Sequence, residues 1–97
     1  MADRENGDVL FPLGRVVATP GALRALEEAG QEPVDFLDRH ACGNWGVVPE
    51  EDWGLNDDAV RRGRRLLSSY RLASGEKVWI ITEGDRSATT LLLPDEY

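Results

Sequence analysis

A chain of 97 residues, 41% hydrophobic and 30% charged, has the content of one soluble domain with a single core. Its net charge of -7 argues against a general binder of phosphate backbones, which an acidic surface repels. One cysteine and one histidine leave no internal disulfide and no Cys/His zinc pattern, and no apolar run is long enough to cross a bilayer. The expectation is a cytoplasmic protein without membrane contact, cofactor or metal.

Residues 1–12 read as a flexible N-terminal segment ahead of a single α+β domain at 13–97. The run from Leu13 to Ala18 predicts a short strand limited by Pro12. "TPGALRALEEAG" predicts a helix, with Thr19 as its cap, Pro20 at the first position and Gly30 at the left-handed stop. "QEPVDFLDRHA" repeats that design with Pro33 and Gly43, giving a helical hairpin. A helical turn is expected to begin at Pro49. A separate short helix then follows over "DDAVRRG", capped by Asn56 or Asp57 and ended by Gly63.

Beyond Gly63 the apolar period changes from helical to alternating. "RLLSSYRL", "KVWIITE" and "ATTLLLP" predict three strands joined by turns at "ASGE" and "GDRS", an antiparallel meander. Alternation puts Leu66, Ser68, Tyr70 and Leu72 on one face, with Leu67, Ser69 and Arg71 on the other. An apolar last strand at an edge would favour a homodimer through "TTLLLP".

The stretches "LGRVVATPGAL", "GNWG" and "YRLASGEKVWIITEGDRSATTLLLPDEY" resemble a family of small bacterial proteins carried on plasmids and integrative elements. That resemblance implies an accessory protein of a mobile element that acts by protein–protein contact. An anti-restriction or anti-CRISPR inhibitor of a host defence protein is one such role. The predicted order of elements also resembles, at the level of fold, ribonuclease toxins of the barnase and RelE type.

Two sets of candidate residues follow. The enzyme alternative, an RNase-like toxin or nuclease, uses His40 as acid/base with Tyr70, Glu83, Arg86 and Ser87, and RNA as its partner. An arginine from Arg62, Arg64 or Arg65 completes its phosphate clamp. A histidine in the last turn of a helix also serves as a plain stop signal beside Gly43, facing the carbonyl end of the dipole. The binding set comprises the acidic residues Glu50, Glu51, Asp52, Asp57 and Asp58, the basic Arg64 and Arg65, and the loop residues Asp85, Arg86 and Thr89, with Arg86, Ser87 and Thr89 read as an anion or substrate clamp. Trp53, amid carboxylates, is expected to be an exposed contact, with Trp45 and Trp79 buried.

Overall fold

A computed structural model describes residues 8–97. Three helices lie between a first strand and a three-stranded meander. The elements are β1 (Arg15–Ala18), α1 (Pro20–Ala29), α2 (Pro33–Ala41), α3 (Glu50–Arg62), β2 (Leu66–Arg71), β3 (Lys77–Thr82) and β4 (Ala88–Leu92), with a last 3-10 turn at Pro94–Glu96. This is the α+β class expected. Most of the segment expected to be flexible, 1–7, lies outside the described residues. Its later part belongs to the domain, because Phe11 is only 4% exposed and its ring packs against His40 and Trp45.

Helix α1 forms as its punctuation predicts. Thr19 Oγ1 accepts from the Ala22 amide at 3.0 Å, and Gly30 adopts φ 69°, which a residue without Cβ reaches at no steric cost. The helix buries Ala22, Ala25 and Leu26. Helix α3 departs from expectation, since it is one continuous helix from Glu50 and not a turn followed by a short helix. Asn56 and Asp57 lie in its interior and cap nothing. The helix runs through Gly54 at a cost of about 1 kcal/mol relative to alanine.

The sheet order is β1-β4-β3-β2, with β1 parallel to β4 and the rest antiparallel. The last strand is therefore interior and both its edges are paired. Dimerisation through "TTLLLP" is corrected on that ground: β4 has no free edge to offer.

The predicted face alternation holds. Tyr70, Leu72, Val78, Ile80 and Leu91 meet Ala22, Ala25, Leu26 and Phe36 in one apolar cluster beneath α1 and α2. A second cluster, Phe11, Trp45, Ala59 and Leu66, lies beneath α3. His40, Ser68, Thr82 and Thr89 are also buried, and they lie on the same side of the sheet.

The outer edge of β2 is covered at Leu67 and Ser69 by two devices. The Ser69 amide donates to Trp45 O at 3.1 Å, and Ser69 O accepts from the Val47 amide at 2.7 Å. One position earlier, Asn56 imitates a strand: its Nδ2 donates to Leu67 O at 2.9 Å and its Oδ1 accepts from the Leu67 amide at 3.3 Å. Gly46, φ 80°, makes the first closure possible, because a Cβ there would run into the Ser69 carbonyl oxygen.

Candidate functional site

His40 ends α2, and its ring enters the core. Nδ1 lies 2.5 Å from Ser68 Oγ and Nε2 lies 2.8 Å from Thr82 Oγ1. Thr82 Oγ1 is 2.7 Å from Thr89 Oγ1, which is 2.7 Å from the carbonyl oxygen of Leu13. Proton bookkeeping fixes the direction of this chain. A carbonyl can only accept, so Thr89 gives its hydrogen to Leu13 and must accept from Thr82. Thr82 has then used its only hydrogen, so Nε2 of His40 must be the donor to it. Nδ1 is left as an acceptor for the Ser68 hydroxyl. The imidazole is thus neutral, in the Nε2–H tautomer, and every polar atom along the line has a partner.

The electrostatics agree with that geometry. Burial, and secondarily the Arg86 guanidinium, push the His40 pKa down to about 3. A side chain with no exposed surface and both nitrogens engaged joins secondary structure elements. In this fold the ring presents no surface to solvent.

The other residues of the enzyme set are similarly occupied or lie apart from His40. Tyr70 is 1% exposed; its hydroxyl donates to Asn44 O at 2.5 Å, and burial raises its pKa. Arg86, at the β3–β4 turn with φ 63°, folds its guanidinium back onto the end of α3. There it donates to Ala59 O at 3.0 Å, Arg64 O at 2.7 Å and Glu83 O at 3.1 Å, above the Phe11 ring. Those contacts add a cationic donor at the carbonyl end of α3, where Ala59 O already accepts from the amides of Gly63 and Arg64. Ser87 is exposed; its amide donates to Asp85 Oδ1 at 3.0 Å, an Asx turn, and its carbonyl accepts from Arg15. Glu83 is half-buried, and its amide closes the hairpin on Ala88 O.

The anion clamp is corrected by the same contacts. Arg86 is spent on carbonyls, Thr89 belongs to the buried chain, and the Ser87 bond holds the Asp85 carboxyl below its usual range. "DRSATT" is a string of structural contacts. No local signal distinguishes it from a ligand loop, since its partners lie as far as 76 positions away.

The charged candidates are surface groups. Asp58 pairs with Arg61 and Arg62 at 2.8 Å each, and the Arg62 bond is the main cause of its lowered pKa. Asp57 accepts from the Trp45 indole at 3.0 Å. Arg64 is exposed, and Arg65 donates to the Tyr97 hydroxyl at 2.8 Å. Glu50 and Glu51 are exposed at the start of α3 with Asp52 half-buried beside them. Among the described residues no cluster of three or more His, Cys, Asp or Glu side chains could hold a metal, and no helix is long and apolar enough to cross a membrane.

The aromatic assignments hold for Trp45 and not for Trp53 and Trp79, which are both half-buried. Trp45 is fully buried, as expected. Trp53 is half-buried against the second cluster, with its indole donating to Gly46 O at 3.3 Å, so it is not an exposed contact. Trp79 is the tryptophan on the face of the sheet away from the helices, where its ring meets Tyr97 edge-on at 5.7 Å. Beside it lies an open groove of about 330 Å³ floored by Leu67, Ser69 and Trp79, walled by Val47, Val48 and Pro49, and flanked by Asp52 and Lys77. Period-two alternation had already placed Leu67 and Ser69 on this face; the loop that walls the groove carried no sequence signal.

Comparison with models of known families, with characterised proteins and with solved structures gives no match.

Proposed function

We propose that this protein acts by binding another protein through the Trp79 groove, as an accessory protein of a mobile element that inhibits a host defence protein. The observation that carries the reading is the groove itself. It offers apolar floor and walls to an anchoring side chain, and Asp52, which follows Glu50 and Glu51 in the first turn of α3, stands at one rim. Such a surface suits a partner presenting an apolar side chain flanked by basic residues, the composition of a nucleic-acid-binding face. The overall charge of -7 favours encounter with that partner.

The nuclease alternative would need RNA to reach His40, which the fold encloses. A photo-crosslinking residue at Val47, exposed beside the groove, tests the reading in bacterial cells, with Glu28 on α1 as the control position. A discrete adduct from Val47 that Trp79→Ala abolishes supports it. Absence of any adduct, or RNA cleavage on induction that His40→Ala removes, overturns it.

A further inference from the structure

The two outer edges of the sheet are treated differently. Two of the three outward-facing positions of β2, Leu67 and Ser69, have their backbone groups paired by Asn56 and the Trp45–Val47 loop. At the other edge, the β1–β4 ladder takes the amides of Arg15 and Thr19. Alternation therefore turns the N–H and C=O of Val16 and Ala18 outward. No described residue bonds them through the backbone. Val16 and Val17 are 43% and 42% exposed on this strand, so two adjacent apolar side chains flank the outward backbone groups. An uncovered apolar edge of this kind is a template for pairing.

We propose that β1 pairs antiparallel with β1 of a second copy of this chain, about a two-fold axis through Val17, joining two four-stranded sheets into one of eight strands. The register follows from which groups are free. With Val17 opposite Val17, Val16 of each copy faces Ala18 of the other, and these are the residues whose amides and carbonyls point outward. The pair closes with four backbone hydrogen bonds. Sliding the axis to Val16 would bring Gly14 into the ladder, where its φ of 66° is incompatible with a strand.

The same register brings opposite charges together. Arg15 of one copy lies across from Thr19 of the other, on the face that carries Val17. Thr19 Oγ1 donates to Glu96 Oε1 at 2.6 Å, which fixes a carboxylate at that point. Each copy thus sets its exposed Arg15 against the other's Glu96, twice over by symmetry. Because β1 pairs with itself about the two-fold axis, each copy uses up that edge and the assembly closes at two. The Trp79 groove adjoins β2, at the far side of the sheet, and stays open in the dimer.

Sedimentation of the full chain tests this, with cysteine substitutions in a Cys42→Ser background. The expected result is a species of twice 10.8 kDa at micromolar concentration. Val17→Lys, which sets two ammonium groups face to face, weakens the dimer at least 10-fold while leaving the circular dichroism of the fold intact. Arg15→Glu weakens it, and Arg15→Glu with Glu96→Arg restores it. Val17→Cys forms a covalent dimer on mild oxidation and Val16→Cys does not, because only the first places its Cβ atoms within disulfide reach across the axis. A monomer throughout, or a dimer indifferent to Val17→Lys, overturns the proposal. Should Val17→Lys fail to fold, the contrast between the two cysteine variants decides alone: equal crosslinking, or none, overturns it.

Discussion

His40 and Thr82, 42 positions apart, are joined by a 2.8 Å hydrogen bond in which the imidazole is the donor. That direction is forced from the far end, where Thr89 must give its only hydrogen to the Leu13 carbonyl. One ring thereby ties α2 to β2 and β3, and through Thr89 to β4 and the chain before β1.

The neutral ring has a measurable consequence. An unfolded histidine takes its proton near pH 6.5, whereas His40 in the fold takes it near 3. The folded state therefore binds fewer protons between those values. Its stability is fully present above about pH 6.5 and falls on acidification by up to about 1.4 kcal/mol per pH unit, levelling off below about 3. Urea midpoints at pH 7, 6 and 5 read this above the range where carboxylates titrate; a flat profile would refute the assignment. Nitrogen chemical shifts of His40 should show the Nε2–H tautomer throughout. His40→Ala leaves three hydroxyls to re-pair around a void and should cost about 3–5 kcal/mol.

Arg86 should behave as a cap. Arg86→Ala removes the charged donor shared by Ala59 O and Arg64 O at the end of α3, while retaining a positive φ that alanine dislikes. The expected loss is about 2–3 kcal/mol, or roughly 10–20 °C in Tm for a domain of this size. Arg86→Gly removes the backbone strain and should be the milder of the two. Equal melting of these variants and the natural chain would remove Arg86 from this role.

Asn56 should matter through one amide. Asn56→Ala strips both bonds from Leu67, at about 1–3 kcal/mol. Asn56→Asp keeps the acceptor for the Leu67 N–H but sets a carboxylate against the Leu67 carbonyl, so it should not rescue. Hydrogen exchange at the Leu67 amide should speed up in Asn56→Ala; unchanged protection would show that the Leu67 edge is held by something else.

What could be read locally from residue order is what local chemistry decides. Thr19, Pro20 and Gly30 specify α1 within twelve positions, and alternation from Leu66 to Leu72 sorts the faces of β2. What escaped was long-range. Gly54 and Asn56 resemble a break and a cap, but packing of α3 on Leu66 and the bonding of Asn56 to the β2 edge override that local preference. Arg86 resembles a phosphate clamp because its carbonyl partners lie up to 27 positions away. His40 was legible as a helix end, and its role as a junction was not, since its partners lie 28 and 42 positions distant. Trp53 and Trp79 both proved half-buried, because neighbouring carboxylates say little about which side of a helix faces inward and alternation along β3 does not say how far its outer face is covered.

The pairing of β1 with β4 also sets an order of events during synthesis. The first strand to leave the ribosome has no strand beside it until residues 88–92 emerge. Thr89, which completes the buried chain of hydroxyls, arrives in that same stretch. A nascent chain halted after Thr82 would hold α1 to α3, the β2–β3 pair and an unpaired β1, with Thr82 lacking its Thr89 partner where the sheet should continue. Closure is thus withheld until almost the whole described chain exists, and C-terminal truncation into β4 should leave a product that quality-control proteases clear rather than a smaller working domain.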